Sequence, residues 1–439
     1  MGVGDRDSES ADVIVVGAGP GGSATAAYLA GYGLDVALLE KATFPRDKIC
    51  GDGLTPRAVK ELISLGIDTT GWARNKGLQI AAAKHTLTLD WPQTATFPDY
   101  GLVRRRTDFD ETLARHAETR GARLIEGMSV RAPIRDAASG RITGVEAKVV
   151  DSRGRATGER RRFSAPVIVA SDGVSSRLAT SMGRTKRDDR PMGVAVRSYF
   201  ASPAMTNTDY IASWLELWVP EDARADPSDP ATKKILLPGY GWLFATGDGG
   251  VNIGLGMLDT SPAFGTVDYK DVMRRWVATL PAEWTCTPET MTAPIRGAAL
   301  PMCFNRQPLY ADGLLLVGDA GGMVNPFNGE GIDYALQAGR VAAECIVQAR
   351  ARDAAGAERA LASYQVAMKD SLGGYFTLGR HFAGLIGHPE VMRLAVKYGL
   401  PRTALMRLLL KIMANLTDST GGGVSDRAIS TLARLTPSA

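Results

Sequence analysis

Cysteine and histidine are scarce in this sequence of 439 residues. Its four cysteines, Cys50, Cys286, Cys303 and Cys345, stand far apart without a C-x-x-C pair, and its four histidines form no metal-ligand or triad spacing. The sequence therefore predicts neither a disulfide framework nor a metal site. A reducing cytosol is the simplest setting for such a chain.

Long apolar runs are missing as well. No stretch of about 20 apolar residues occurs, so no membrane-spanning helix is expected, and the polar first eleven residues lack the apolar core of a secretory signal. Lys and Arg (51) barely outnumber Asp and Glu (47), which gives no basis for nucleic-acid binding. With 45% hydrophobic and 22% charged residues, the chain is expected to be globular with more than one domain.

The N-terminal part has the pattern of a βαβ unit. Strands are expected over 12–16 and 35–39 and a helix over 23–30, with Glu40 after the second strand. The first turn fits G-x-G-x-x-G, the loop that lets a pyrophosphate approach a helix N-terminus. An acid at position 40 suits a ribose hydroxyl and favours FAD or NAD over a 2′-phosphorylated cofactor, while a purely structural glycine turn is the alternative. The loop comprises Gly17, Ala18, Gly19, Pro20, Gly21 and Gly22.

The middle of the chain has a different pattern. Short alternating or aromatic-rich runs at 194–200, 213–219, 241–245 and 251–255 predict an antiparallel sheet. A helix capped by Thr107 is expected over 107–120, a buried strand recurs over 314–317, and a helix starts at Ile332. The first domain therefore resumes after an insertion.

Several motifs resemble those of the p-hydroxybenzoate hydroxylase-like flavoproteins. They are the glycine loop, Arg106 with its neighbouring Phe-Asp pair, Asp172-Gly173, and a late Gly-Asp turn followed by Gly-Glu-Gly-Ile. The resemblance implies FAD as cofactor, with Asp319 on its ribityl chain, Gly331 and Ile332 at the flavin pyrimidine edge, and Arg106 on the nucleotide. Arg104 and Arg105 are alternatives for that arginine; Asp319 as a helix cap and Arg106 on a solvated face are the simpler interpretations. The remaining cofactor contacts that the resemblance implies are Lys41, Cys50, Gly51, Asp52, Gly53, Val130, Asp172 and Gly173.

A second resemblance is more specific. The run Lys-Ile-Cys-Gly-Asp-Gly-Leu at 48–54 and the motif Tyr240-x-Trp242-x-Phe244 are similar to the geranylgeranyl reductase family, although Ala245 replaces the proline of its Tyr-x-Trp-x-Phe-Pro pattern. Members hydrogenate isolated isoprenoid double bonds with reduced FAD. The sequence is most similar to the actinobacterial menaquinone reductases, which implies reduction of one isoprene unit, in the β position, of the menaquinone side chain.

The predicted fold class is α/β. It has a Rossmann-like FAD-binding domain (1–185 and 300–350, with part of 75–103 joining the substrate sheet), an inserted antiparallel-sheet substrate domain (186–299), and a helical C-terminal region (351–439).

Four residues are the predicted catalytic set. Tyr240, Trp242 and Phe244 alternate on one strand and so share a face, where aromatic rings can stabilise positive charge on an unpolarised alkene. Cys50 lies in the glycine-flanked loop that the resemblance places near the flavin. The alternatives are that the aromatic residues form the buried face of a sheet and that Cys50 is a small buried hydrophobe.

Residues 401–416 are strongly apolar and carry Arg402, Arg407 and Lys411. They predict a helix that lies in an anionic membrane interface, or else one packed on the core. The predicted location is peripheral, on the cytoplasmic side of the cell membrane, and the predicted partner is a polyprenyl lipid.

Other functions stay open. The same scaffold could serve an aromatic hydroxylase or a reductase of another geranylgeranyl lipid, whereas a non-enzyme alternative is an FAD-containing lipid or quinone carrier. A halogenase is disfavoured because Trp214 and Trp218 have the wrong spacing for its Trp-x-Trp motif. No second dinucleotide loop is present, so the electron donor is unknown.

Overall fold

The computed structural model describes residues 8–82, 85–222, 224–226, 228–418 and 423–436. The ends of the predicted first and last domains, 1–7 and 437–439, lie outside these residues. The α-helices are α1 (Pro20–Gly31), α2 (Pro56–Leu65), α3 (Arg106–Thr119), α4 (Arg177–Ser181), α5 (Tyr269–Val277), α6 (Ile332–Arg350), α7 (Ala354–Ile386), α8 (Pro389–Leu394), α9 (Thr403–Met413) and α10 (Val424–Leu435). The strands are β1 (Ser8–Ser10), β2 (Val13–Val16), β3 (Val36–Leu39), β4 (Gly53–Leu54), β5 (Ala73–Asn75), β6 (Gly77–Ala82), β7 (His85–Asp90), β8 (Gly101–Val103), β9 (Arg123–Ile125), β10 (Met128–Arg135), β11 (Ile142–Val150), β12 (Ala156–Ser164), β13 (Val167–Ala170), β14 (Met192–Ala201), β15 (Tyr210–Trp214), β16 (Leu217–Pro220), β17 (Lys234–Leu237), β18 (Tyr240–Ala245), β19 (Gly250–Leu258), β20 (Arg296–Pro301), β21 (Tyr310–Ala311) and β22 (Leu314–Leu316).

A six-stranded sheet in the order β21-β22-β13-β2-β3-β9 organises the first domain, and all of its strand pairs except β21–β22 are parallel. The central strands are short, uninterrupted apolar runs that are buried throughout, as expected of a parallel sheet covered on both faces. Since β2 leads directly into α1, the glycine loop lies at the carboxyl end of the sheet, where open α/β folds bind their ligands.

A seven-stranded sheet, β20-β14-β19-β18-β15-β6-β7, forms the second layer. Every pair in it is antiparallel except β6–β15. The predicted strand over 213–219 is wrong in one respect: it is divided between β15 in this sheet and β16, which pairs with β17 in a separate ribbon. The strand that carries the aromatic motif, β18, lies between β19 and β15.

The helix predicted over 107–120 begins one residue earlier. Arg106 is its first residue, and Thr107 does not cap it because the Thr107 hydroxyl donates to the adjacent Asp108 carboxylate at 3.1 Å. The buried position of Arg106 at the start of α3 aims its side chain into the protein rather than into solvent.

The C-terminal region is helical, and α9 packs one face on the sheet layer. Met406 and Leu410 of α9 belong to an apolar cluster with Ile80 and Trp91, and Phe244 borders that cluster. Within the described residues, every helix is too short or too polar to cross a bilayer. The α/β fold class with a Rossmann-like domain, a further sheet and C-terminal helices is confirmed.

Candidate active site

The turn after β2 is built around Glu40. Its carboxylate is 4% exposed and accepts hydrogen bonds from the backbone N–H groups of Ala18 and Ala42, each at 3.0 Å. Glu40, which follows β3, thus holds the loop after β2 in place. The position is that of an acid which receives a ribose hydroxyl in a dinucleotide fold.

The glycine loop has the shape that a pyrophosphate needs. A Cβ at Gly22 would overlap the carbonyl oxygen of Gly17, so helix α1 can start this close to the strand only with glycine there. Gly19 differs: the nearest heavy atom to a Cβ there is 3.9 Å away, on Arg46. Open space above a glycine at a helix N-terminus, faced by a guanidinium, suits a diphosphate, and the residues present therefore fit FAD.

Arg46 is a residue that sequence reasoning missed. Its guanidinium lies 2.7 Å from Asp110 and 3.5 Å from Glu40, beside the glycine loop. A cation six positions after the ribose acid is the signal that could have found it.

Arg106 is held by Asp110, the same carboxylate that pairs with Arg46. It forms two hydrogen bonds to Asp110, at 2.7 and 2.8 Å, and is 4% exposed, so the solvated-face interpretation of this arginine is wrong. Burial alone would raise the pKa of the Asp110 carboxyl, but the two guanidinium groups of Arg106 and Arg46 hold it below its ordinary value. A row of fixed charges therefore runs from the glycine loop to the start of α3.

The late Gly-Asp motif lies beside the 48–54 loop. Asp319 sits in a short 3₁₀ turn, its Oδ2 is 3.7 Å from Lys48 Nζ, and a Cβ at Gly331 would lie 3.7 Å from its Oδ1. Gly331 caps α6, which begins at Ile332 as predicted. The fold thus brings together Asp319, the start of α6 and the 48–54 loop.

Asp172 and Gly173 follow β13 at the same edge of the sheet. Burial raises the pKa of Asp172, and its Oδ1 is buried without a hydrogen-bond partner. Arg306 connects this turn to the Asp319 turn through Val174 O (2.7 Å) and Ala320 O (3.3 Å), and its buried Nε likewise has no partner. Such orphaned polar atoms are expected where a polar ligand completes the site.

Two further predicted contacts lie at the nucleotide end. Lys41 is exposed beside Glu40. Val130 is buried in β10, whose first residue, Met128, donates its N–H to Glu40 O at 2.8 Å.

The three aromatic side chains of β18 form a continuous row, which we call the aromatic wall (Tyr240, Trp242 and Phe244). Ring centroids lie 6.3 Å apart for the first pair and 6.2 Å for the second, which is stacked at 26°. The Tyr240 hydroxyl donates to Asn328 O at 2.9 Å. At the other end the Phe244 ring lies against Gly51, where a Cβ would be 2.9 Å from it. The aromatic wall therefore contacts the 48–54 loop at one end and the loop before α6 at the other.

A buried polar network fixes the 48–54 loop to the aromatic wall. Asn252 accepts the Trp242 indole N–H at 2.9 Å and donates to Asp52 at 3.0 Å and to Cys50 O at 3.1 Å. Asp52 is fully buried, and it also accepts the Tyr199 hydroxyl and the Arg106 backbone N–H, each at 3.1 Å. Burial raises the pKa of Asp52 to about 6.

Sequence reasoning missed Asn252 and Tyr199. Neither stands in a motif, and each meets Asp52 only through a contact that spans well over a hundred residues.

Cys50 and Tyr240 lie close enough to influence each other's ionisation. Burial raises the pKa of the Cys50 thiol, with Arg106 opposing the rise, so the thiol is protonated at neutral pH. Burial also raises the pKa of Tyr240 to about 12, with a contribution from Cys50. Both groups therefore enter any reaction as neutral hydrogen-bond donors.

Known proteins are similar to this chain over most of its length. Residues 10–223 fit the FAD binding domain family. The chain is 36% identical to the menaquinone reductase of Mycobacterium tuberculosis (strain CDC 1551 / Oshkosh), with 93% of this chain and 92% of that protein covered. It belongs to the geranylgeranyl reductase family of FAD-dependent oxidoreductases.

A further relative supports the family, and a solved structure shows the same fold. Digeranylgeranylglycerophospholipid reductase 1 of Methanopyrus kandleri is 30% identical over 87% of this chain and 91% of its own. The crystal structure of a geranylgeranyl bacteriochlorophyll reductase-like protein from Thermoplasma acidophilum shares the fold, with a TM-score of 0.70 at 21% identity and coverage of 98% and 96%. This family member is an FAD-dependent oxidoreductase, and the predicted cofactor is confirmed.

Proposed function

We propose that this enzyme hydrogenates an isolated double bond in a polyprenyl chain, and that its substrate is menaquinone, reduced at the β isoprene unit. The observation that carries the proposal is the aromatic wall, held between the 48–54 loop and the loop before α6. The relatives that act on menaquinone and on geranylgeranyl lipids support the substrate class.

The chemistry explains why such a wall is useful. An isolated alkene has no carbonyl to polarise it, so positive charge develops on carbon as hydrogen is added. Bound in its reduced form, FAD supplies a hydride. The quadrupoles of Trp242 and Phe244 stabilise the developing charge, an effect of about 0.5–2 kcal/mol per favourable ring.

The residues around the aromatic wall keep the site dry. Trp242 is buried at 6% exposure, and the Tyr240 hydroxyl is satisfied by a backbone carbonyl, so this face offers little that would retain water. Exclusion of water strengthens each electrostatic interaction in the site and protects the reduced cofactor from side reactions.

The substrate is tested by single turnover. The holoenzyme is reduced anaerobically and mixed with menaquinone that has a fully unsaturated tail, or with menaquinone already saturated at the β unit. We expect only the first quinone to gain two hydrogens in its side chain, measured by mass on the extracted lipid because reduced flavin can also reduce the quinone ring. Side-chain reduction of both would show that the β position is not the target, and side-chain reduction of neither would remove menaquinone as substrate.

We propose further that the enzyme attaches peripherally to the bilayer through its C-terminal helices. In α9, Met406 and Leu410 are buried in the apolar cluster, whereas Leu405 and Leu408 are 40% and 37% exposed. The helix therefore packs on the core with one face and leaves a second apolar face uncovered. Lys411 does not contribute cationic surface, because it pairs with Asp426 at 2.7 Å inside the protein.

The segment before α9 has the same arrangement. Val396 and Leu400 pack in the apolar cluster, while Leu394 and Tyr398 are 57% and 51% exposed. Two neighbouring helical segments therefore expose apolar side chains with cations between them. This arrangement fits an anionic membrane interface. The exposed cations of these helices are Arg393, Lys397, Arg402 and Arg407.

Flotation with anionic liposomes tests this attachment. Replacing Leu405 and Leu408 together by Asp is expected to shift the protein from the floating to the soluble fraction without lowering its melting temperature. The matched control is Ile63→Asp, on α2, where the side chain is likewise exposed (57%). Equal flotation of the double variant and the wild type would contradict the proposed surface.

A further inference from the structure

Glu330 lies in the loop before α6 and links that loop to the end of the 48–54 loop. Its Oε1 accepts the hydroxyl of Thr55, which follows the 48–54 loop, and its Oε2 lies 3.4 Å from Asn328 Nδ2. Asn328 is also the residue whose carbonyl accepts the Tyr240 hydroxyl. The Glu330 carboxylate thus connects Thr55, at the end of the 48–54 loop, to the residue that accepts the Tyr240 hydroxyl.

Asp333 lies one helical turn further along, in the first turn of α6. It is completely buried, and neither of its carboxylate oxygens receives a hydrogen bond that satisfies normal geometry. Its nearest cation is Arg57 on α2, with Nε at 3.2 Å. Another nitrogen of Arg57, Nη2, donates a hydrogen bond to Gln337 Oε1 at 2.5 Å.

The charges in this region favour retention of a proton. Arg57 interacts with Glu330 and Asp333, and the other titratable groups around them are Tyr334 on α6, Tyr375 on α7 and Glu61 on α2, whose charge is balanced by Arg340 at 3.2 Å. Two carboxylates with one buried guanidinium between them cannot both stay ionised at low cost, since a buried charge without a partner is strongly disfavoured.

The pKa values point the same way. Burial raises the pKa of Glu330 to about 7, and burial together with Glu330 raises the pKa of Asp333 well above its ordinary value.

We propose that Glu330 and Asp333, the acid pair, hold one exchangeable proton at neutral pH and deliver it through Glu330 as the second hydrogen of the reduction. The inference rests on the proposed function. The hydride from the reduced cofactor forms one C–H bond as the cofactor is oxidised, the Glu330 proton forms the other as the C=C π bond is lost, and the carboxylate left behind is reprotonated from solvent.

Two measurements test the acid pair separately. The first needs no substrate or cofactor: the melting temperature of the apoprotein is followed from pH 5 to 8. Since both carboxyl pKa values are raised on folding, the pair lowers stability as pH rises, and Glu330→Gln should gain stability relative to wild type progressively from about pH 4.5 to about pH 7. The matched control is Glu344→Gln on α6, the helix that carries Asp333, where the side chain is 43% exposed and pairs with Arg340; it should not change the pH dependence.

The second measurement follows single-turnover reoxidation of the loaded enzyme by the polyprenyl quinone. General acid catalysis contributes roughly 10²–10⁴-fold, so Glu330→Gln should slow the step by at least about a hundredfold at unchanged FAD content, and the wild-type rate should fall above pH 7. Asp333→Asn leaves Glu330 able to lose its proton and should keep a fall with rising pH, whereas the residual rate of Glu330→Gln should not show it.

The outcomes distinguish the two proposals. A wild-type enzyme that is not reoxidised by any polyprenyl quinone removes the proposed function, while the apoprotein titration still decides whether the pair holds a proton. A wild-type rate in Glu330→Gln, or a pH dependence of stability identical in Glu330→Gln and wild type, overturns the acid pair.

Discussion

Phe244→Leu isolates the contribution of an aromatic face to the reaction. The ring stacks on Trp242 at 6.2 Å and lies against Gly51, and it makes no hydrogen bond. Leucine preserves most of the apolar volume and removes the quadrupole. We expect the variant to fold and to bind FAD, and to reduce its substrate more slowly.

The magnitude follows from the cation–π energy. A loss of about 0.5–2 kcal/mol in the transition state corresponds to a decrease of about 2- to 30-fold in the reduction rate. The cost in stability should stay below about 1.5 kcal/mol, because the substitution is close to volume-conserving. The change in reduction rate therefore reports charge stabilisation, and the change in folding stability reports packing.

The assay is stopped-flow reoxidation of the reduced flavin by polyprenyl quinone, normalised to bound FAD. Phe244→Tyr keeps the ring and should keep most of the rate. Phe264→Leu, which removes a half-buried ring packed on Tyr269, should have no effect. Unchanged turnover per FAD in Phe244→Leu would refute the role of the aromatic wall and leave these side chains as the buried face of a sheet.

Three other variants test separate parts of the site. Gly19→Val should fold, because its Cβ meets nothing nearer than 3.9 Å, but should lose FAD absorbance in the purified protein. Trp242→Phe keeps a ring but orphans Asn252 Oδ1, so a loss of about 1–3 kcal/mol should appear in denaturant unfolding. Asp52 has a raised pKa of about 6, so its ionisation destabilises the fold as pH rises from about 4 to about 6; Asp52→Asn should gain about 3 kcal/mol relative to wild type across that window in pH-dependent unfolding.

Much of the fold could be predicted from the sequence because the signals are local. The strand, glycine loop, helix and acid of the first βαβ unit occupy one short stretch, and buried parallel strands read as uninterrupted apolar runs. The FAD cofactor and the family followed from motifs of the same local kind, and both were confirmed.

The rest depends on contacts that no local pattern encodes. Asn252 reaches Asp52 across 200 residues, and Arg46, which lies in a loop, is held by Asp110 on α3. The run over 213–219 has one alternating pattern but contributes to two sheets, because the partner strands, rather than the run itself, decide where pairing stops.

The sequence of helix α9 likewise did not show which of its faces is buried. Apolar residues around most of α9 left membrane contact and core packing as alternatives, and the structure places Met406 and Leu410 inward while Leu405 and Leu408 remain exposed. Only the position of the apolar cluster separates the two faces.

The most direct test of the account is the stoichiometry of a single turnover. Anaerobically reduced holoenzyme is mixed with excess menaquinone, and flavin absorbance and the mass of the extracted quinone are measured together. We expect one quinone heavier by two hydrogens, at the β isoprene unit, for each FAD reoxidised. Flavin that reoxidises while the side chain keeps all of its double bonds would contradict it.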